Sequence, residues 1–213
     1  RPPLFAPPCP PLPPERLLLE NLHGLNLDLG PPLTATTAAH WFDEIARLPD
    51  VPWELIDDGC GERAMIASMH LARHGVRSLK VFVVGDLMVP SATEPVEWSF
   101  HVAPAVMVEE RGRWEMRIFD PALAKHPLSL SAWLSRFVSG PIVVDVLPWF
   151  QRNAVEWGGF EREEDAESHL ANAREALEEV VAEWHQERAT RALEEAAAMR
   201  SEKVGGERPI LSY

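Results

Sequence analysis

The sequence is poor in cysteine, in long apolar runs and in positive charge. Its two cysteines, Cys9 and Cys60, are too few for the disulfide framework of a small secreted domain. No apolar run approaches the roughly 18–20 residues that a membrane-spanning helix needs. The 20 Lys and Arg residues face 33 Asp and Glu, for a net charge of −13. Such a chain repels phosphate backbones and anionic lipids, so we expect no nucleic-acid and no membrane partner.

What remains is the composition of a globular protein with one main domain. The 213 residues are 46% apolar and 25% charged, which allows a proper hydrophobic core. Residues 1–33 form a separate segment that begins with eight prolines in its first 14 positions, a composition typical of a linker. We expect the folded domain over 34–150 and an acidic helical extension over 160–204.

Helical spacing predicts two helices before the first strand. Thr34 or Thr37 is a suitable cap for a helix that runs through about residue 48. The second helix is expected to begin near Cys60 and to end near Gly75, a favourable residue just beyond a helix. Its apolar residues cover much of its surface, so we expect this helix to be largely buried.

Strand patterns follow the second helix. An apolar run at 79–84 predicts a central strand, and 96–108 alternates so that Trp98 and Phe100 face away from His101. Residues 109–113 predict a hairpin turn into a return strand that ends at Asp120. Ser129 or Ser131 suits the start of a short helix through Val138, and 142–147 predicts a further strand. The pattern indicates an α+β fold, with an antiparallel sheet packed on the helix that carries Cys60.

The last part of the chain predicts one amphipathic helix. Residues 161 to about 203 are rich in Glu, Ala and Arg, and Leu170, Leu177 and Trp184 recur at seven-residue intervals on one stripe. Arg191 interrupts this stripe, which argues against a long coiled coil. We expect the helix to pack on the main domain, with the alternative that 163–200 binds a partner or a second copy of the chain.

Cys60, His101 and Asp120 are the candidate catalytic residues. Cys60 follows an Asp-Gly turn at a helix start, where the helix dipole favours a thiolate. His101 lies in a strand and Asp120 ends the next one, so strand pairing brings them close. A nucleophile, a base and an orienting carboxylate indicate a thiol hydrolase or transferase. The alternative for Cys60 is a small buried apolar side chain, and for Asp120 a turn-forming residue before proline.

His70 and His74 are weaker candidates. They lie four residues apart on the Cys60 helix, a spacing that is able to bind a metal ion. No third ligand is evident from the sequence, so we interpret them as solvent-facing or structural histidines.

Four segments resemble the bacterial protein-glutaminase (protein-glutamine deamidase) family. They are Asp58-Gly59-Cys60 with Arg63-Ala64, then 98–104 around His101, 118–123 around Asp120, and 127–134. The resemblance covers roughly residues 34–140. It implies a fold related to transglutaminases and papain-like enzymes, with Cys60 as nucleophile, His101 as general base and acid, and Asp120 as orienting residue.

The implied reaction is hydrolysis of the side-chain amide of protein-bound glutamine through a thioester on Cys60, with release of ammonia. The resemblance implies no metal and no organic cofactor, and a protein or peptide with an accessible glutamine as substrate. Some relatives are made with a pro-segment that fills the cleft, so residues 1–33 are either a linker or such a segment. The chain differs from the family pattern at Gly61, Met65 and Phe100.

Three alternatives to deamidation remain open from the sequence. The same three residues would serve a transglutaminase-like acyltransferase or a cysteine peptidase, and an inactive domain would only bind a partner. Secreted relatives carry additional cysteines that this chain lacks. We nevertheless expect a secreted protein or a delivered effector in preference to a cytoplasmic one.

Overall fold

A computed structural model describes residues 29–90, 95–151 and 162–205, with side chains up to residue 199. Nearly all of the proline-rich segment, residues 1–28, lies outside these ranges. The helices are α1 (Ala35–Ala46), α2 (Cys60–Arg73), α3 (Leu130–Leu134) and α4 (Ala166–Gly205), with a 3-10 turn at Glu163–Asp165. The strands are β1 (Leu33–Thr34), β2 (Leu79–Val89), β3 (Val96–Glu110), β4 (Arg113–Ile118), β5 (Leu128–Ser129), β6 (Val138–Ser139) and β7 (Val143–Pro148).

The two predicted helices begin where the sequence indicates. The Thr34 hydroxyl accepts a hydrogen bond from the Thr37 N–H at 3.1 Å and caps α1. Helix α2 begins at Cys60, and Gly75 follows its end with φ +74°, a left-handed conformation that glycine adopts without strain. Eight side chains of α2 are buried, namely the seven consecutive residues 63–69 and Leu71, whereas His70 and Ala72 are half-buried. This confirms the expectation of a largely buried helix.

The strands pair in the order β5-β4-β3-β2-β6, and β7 also pairs with β2. These pairings are antiparallel, whereas β1 runs parallel to β3 at Leu33 and Val108. Arg111 and Gly112 form the hairpin turn between β3 and β4, both with positive φ, as a two-residue turn of type I′ requires. The predicted antiparallel sheet is therefore present among the described residues.

Apolar clusters cover both faces of the sheet. On one side, Phe42 of α1 and Leu71 of α2 pack with Val106 and Val108 of β3. On the other side, Trp133 of the short helix α3 packs in a cluster with residues of β2 and β3. Helix α3 ends at Leu134 instead of reaching Val138, because Val138 and Ser139 pair with β2.

The C-terminal helix α4 has a packed half and an exposed half. Its first part buries one stripe against α2 and the segment before it, made of Ala166, Leu170, Ala173 and Leu177. From residue 185 to residue 199 every side chain is exposed, including Leu193 at 72% and Met199 at 67%. The helix extends the α+β fold, as the amphipathic pattern predicts.

No helix in the described part of the chain combines the length and the apolar composition needed to cross a membrane.

Candidate active site

Cys60 is the first residue of α2, and its side chain is partly exposed. The N–H groups of a first helical turn have no partner within the helix and carry partial positive charge. They therefore offer donors to an oxyanion that develops next to Cys60. The preceding turn is held by a hydrogen bond of 2.6 Å from the Gly59 N–H to Asp58 Oδ1.

The position before Cys60 strongly favours glycine. Gly59 has φ +77°, and a Cβ atom there would lie 3.0 Å from Leu177 Cδ1 and 3.3 Å from Arg63 Nη1. Helix α4 thus contacts the turn that precedes the candidate nucleophile. The Asp-Gly turn predicted from the sequence has a steric reason in these two contacts.

His101 and Asp120 form a buried hydrogen-bonded pair. Nε2 of His101 lies 2.9 Å from Oδ2 of Asp120, and the two side chains are only 1% and 3% exposed. Trp133 Nε1 donates a second hydrogen bond of 2.7 Å to the same oxygen. The Ala122 N–H donates to Oδ1 at 3.2 Å. These donors fix the plane of the carboxylate and hence the orientation of the imidazole.

The pair is charged in the folded protein. Burial lowers the pKa of His101, but the charge of Asp120, its hydrogen bond and the neighbouring Cys60 outweigh burial and raise this pKa to about 9. Burial raises the pKa of Asp120, whereas the His101 charge and the hydrogen bonds from His101 and Trp133 lower it to a net value below the ordinary one. Both shifts favour an imidazolium–carboxylate pair at neutral pH.

The candidate nucleophile lies beside this pair. Nδ1 of His101 is buried, and no described residue makes a fully formed hydrogen bond to it. Cys60 nevertheless lies close enough to raise the pKa of His101 as a hydrogen-bond partner and through its charge. Because Nε2 is bound to Asp120, Nδ1 is the ring nitrogen available to the sulfur. The structure therefore brings the three predicted residues together.

The aromatic surroundings of His101 differ from the predicted arrangement. Trp98 stacks on the His101 ring at 4.5 Å with an interplanar angle of 9°, so the two side chains do not lie on opposite faces. A β-bulge lies next to this stack, where Gly85 and Asp86 of β2 lie opposite the single residue Ser99 of β3. A bulge increases the local twist of the paired strands, so a prediction from strict alternation is least secure here.

Two residues of the site lie in segments that resemble the family, but the sequence analysis assigns neither of them a functional role. Trp133 holds Asp120, and Arg63 is a buried cation whose strongest electrostatic neighbours include Cys60 and Asp120. The sequence contains a signal for Arg63, because a charged residue followed by mostly apolar helix positions is expected to be buried. For Trp133 the signal is weaker, because a tryptophan in a short amphipathic helix is expected in the core.

His70 and His74 lie together on the opposite end of α2. Their ring centroids are 4.5 Å apart, and both rings pack against Trp41 of α1. Within the described residues, no group of three or more His, Cys, Asp or Glu side chains is arranged to hold a metal ion. The two histidines are parts of an aromatic contact between α1 and α2.

Known proteins resemble this chain in sequence and in fold. Residues 38–137 match the family model described as glutaminase. No curated protein gives a significant match. The NMR structure of protein-glutaminase from Chryseobacterium proteolyticum is 24% identical with a TM-score of 0.60, over 68% of this chain and 86% of that one. A crystal structure of protein-glutaminase gives 24% identity and a TM-score of 0.59 over the same shares.

The crystal structure of a mutant pro-protein-glutaminase is 25% identical with a TM-score of 0.53, over 59% of this chain. The match spans 51% of that longer chain, so about half its length has a counterpart here. The solved structures share the observed fold, whereas the wider relation to transglutaminases and papain-like enzymes stays a prediction. The chain is therefore similar to the glutaminase family model over residues 38–137, and it shares its fold with solved protein-glutaminases.

Proposed function

We propose that the protein is a cysteine-dependent amidohydrolase that converts glutamine residues of proteins to glutamate and releases ammonia. The match of residues 38–137 to the glutaminase family model supports the reaction class. The observation that carries the proposal is the buried His101–Asp120 pair at 2.9 Å beside Cys60 at a helix N-terminus. This arrangement suits attack on an amide carbonyl.

The first half of the reaction forms a thioester. The Cys60 thiolate attacks the δ-carbon of the glutamine side chain, and the carbonyl oxygen becomes an oxyanion next to the Cys60 backbone N–H. Collapse of this intermediate breaks the C–N bond. His101, which is protonated at the start, gives its proton to the departing nitrogen, so ammonia leaves and the glutamyl group stays on sulfur.

The second half regenerates the enzyme. His101, now neutral, accepts a proton from water while the water oxygen attacks the thioester carbon. The C–S bond then breaks, and Cys60 leaves as the thiolate beside the reprotonated imidazole. The product is glutamate in place of glutamine, with one water consumed for each ammonia released.

Asp120 orients the ring in both halves. Its hydrogen bond to Nε2 leaves Nδ1 for the sulfur and for the proton transfers. The bond from Trp133 holds the carboxylate while the charge on the ring changes. His101 therefore exchanges its proton at one nitrogen, and the other nitrogen stays bound to Asp120.

The reaction class is tested by incubating the full chain with a glutamine-rich protein, in parallel with a matched peptide pair that carries Gln or Asn at one position. We expect ammonia release and conversion of glutamine to glutamate, measured by an ammonia assay and by mass spectrometry. New N-termini would instead indicate a peptidase, and incorporation of an added primary amine without net hydrolysis would indicate an acyltransferase. Either result, or no change in the substrate, would contradict the proposal.

A further inference from the structure

Arg63 is buried at a cost that the fold alone does not explain. It lies three residues after Cys60 in α2 and is 1% exposed. Among the described residues it makes no ion pair with a carboxylate, and its Nη2 has no hydrogen-bond partner. A buried, incompletely paired guanidinium is expensive in folding free energy, because the charge loses its hydration. Such a residue calls for a role beyond packing.

One nitrogen of the guanidinium holds the turn before the nucleophile. Nη1 donates to the carbonyl oxygens of Leu55 at 2.5 Å and of Asp58 at 2.6 Å. The same nitrogen lies against Gly59, where an added Cβ would approach it to 3.3 Å. Arg63 therefore ties together both ends of the segment 55–58, which leads directly into Gly59 and Cys60.

The guanidinium of Arg63 lies close to Cys60, because it bonds to the carbonyl of Asp58, two residues before Cys60, and because Arg63 follows Cys60 by three residues in the same helix. Cys60 is the strongest of the negative groups that act on Arg63, and Asp120 is the second. Burial still leaves the pKa of Arg63 below its ordinary value, but a guanidinium titrates so far above neutrality that it stays cationic. The two carbonyl bonds need only a donor, so they do not account for a fixed positive charge at this place.

We propose that Arg63 is a positioning residue that holds the 55–59 turn and supplies a permanent positive charge that stabilises the Cys60 thiolate. The inference rests on the proposed function for its place in the reaction. His101 carries its positive charge during only part of the cycle, since it gives a proton to ammonia and later takes one from water. Arg63 keeps its charge throughout, including the step in which sulfur leaves the thioester as an anion.

The test measures thiolate formation directly, without a glutamine substrate. Full-length variants Arg63→Lys and Arg63→Gln are made in a Cys9→Ser background, so that Cys60 is the one thiol left of the two in the sequence. Alkylation of Cys60 by iodoacetamide is followed by intact mass spectrometry from about pH 5 to about pH 9, because only the thiolate reacts. Arg73→Gln is the matched control, since Arg73 lies on the same helix but is half exposed and bound to Glu167.

We expect Arg63→Gln to move the midpoint of alkylation upward by about one pH unit, which makes the reaction about tenfold slower at acid pH. Arg63→Lys keeps the charge and should stay within a few tenths of a unit of the parent, although it loses the forked contact with the turn. Arg73→Gln should leave the midpoint unchanged. For ammonia release, kcat should fall most in Arg63→Gln, less in Arg63→Lys and not at all in Arg73→Gln. The KM should change little in all three variants.

Equal midpoints for the Lys and Gln variants would overturn the proposal, because the charge would then have no effect on the sulfur. Failure of both variants to fold, judged by circular dichroism and thermal unfolding, would also overturn it and would make Arg63 a structural residue. Alkylation does not depend on deamidation. A protein that releases no ammonia but shows the expected midpoints would contradict the proposed function and leave the role of Arg63 standing.

Discussion

The two ends of helix α2 contain similar charged residues in opposite environments. Arg63, near the N-terminal end, is 1% exposed and bonds to backbone carbonyls next to Cys60. Arg73, at the C-terminal end, has a side chain 50% exposed and forms hydrogen bonds of 2.7 and 3.0 Å to Glu167 of α4. The comparison shows that burial and the identity of the partner, not the presence of charge, distinguish the candidate site from an ordinary surface.

The two ion pairs near these ends lead to the same conclusion. His101–Asp120 and Arg73–Glu167 have similar distances, 2.9 and 2.7 Å, but the first is almost fully buried and the second is at least half exposed. Water and salt screen the exposed pair, so its contribution to stability is small. The buried pair is unscreened, and removing one partner leaves the other uncompensated. Their consequences for rate and stability should differ accordingly.

Replacing Asp120 of the buried pair should have the largest effect, and the quantity affected is turnover. Asp120→Asn keeps the size of the side chain, but it removes the negative charge and replaces one of the two acceptor oxygens, which together accept from three donors, by an NH2 donor, so the ring loses its charged partner and its fixed tautomer. We expect turnover to fall by roughly 10³–10⁴-fold, as in triads whose orienting acid is replaced. Steady-state ammonia release measures the loss, and near-UV circular dichroism checks that the fold is intact. A folded variant with near-normal turnover would remove Asp120 from the catalytic group.

The second-largest effect is expected in the pH dependence of the free energy of unfolding, which depends on the buried His101–Asp120 pair. The pKa of His101 is raised from 6.5 to about 9 in the folded protein. Its stabilising contribution is therefore complete below about pH 6.5 and is lost as the pH rises through about 9, a change of at most about 3 kcal/mol in the free energy of unfolding. The pKa of Asp120 is lowered from 3.8, so its contribution is present above that pH and is lost on further acidification.

Urea unfolding of the wild type and Asp120→Asn across this range measures the effect. The thiol of Cys60 is present in both proteins, so the difference between them isolates the pair. The difference should be large at about pH 6 and should shrink towards about pH 9.5. A constant difference at all pH values would contradict the raised pKa of His101.

Removal of the exposed Arg73–Glu167 pair should have the smallest effect on the free energy of unfolding. Arg73→Met removes a salt bridge between α2 and α4 whose partners are half exposed or more. We expect the free energy of unfolding to fall by less than about 1 kcal/mol and the loss to diminish in high salt. Turnover should be unchanged. A loss as large as that of Asp120→Asn at neutral pH would show that contact with α4 supports the active site, and the contrast between the two ends of α2 would fail.

The sequence is sufficient to predict the parts of the fold that local rules control. The Asp-Gly turn and Gly75 mark the ends of α2, and the turn at Arg111 and Gly112 sets the register of β3 and β4. That register places the end of β4 beside Pro104, with a hydrogen bond of 2.8 Å from the Phe119 N–H, and so brings Asp120 near His101. Candidate residues whose places are set by a strand or by the start of a helix are therefore predictable from the sequence.

Features that depend on tertiary contacts are not visible in this way. The stack of Trp98 on His101 lies next to a bulge whose position depends on how β2 and β3 align. The burial of Arg63 depends on two carbonyl groups presented by an irregular segment, and the bond from Trp133 depends on where α3 packs. Side-chain periodicity describes one element at a time and carries no information on these contacts.

The central claim is that Cys60, His101 and Asp120 act together in catalysis and that the sulfur of Cys60 is the nucleophile. Its most direct test is ammonia release from a glutamine-containing protein by Cys60→Ala, with Cys9→Ala as the matched control for loss of a thiol. The account predicts that Cys60→Ala releases no ammonia above the rate without enzyme, and that Cys9→Ala retains the wild-type rate. Ammonia release by a folded Cys60→Ala variant at a rate close to wild type would contradict it.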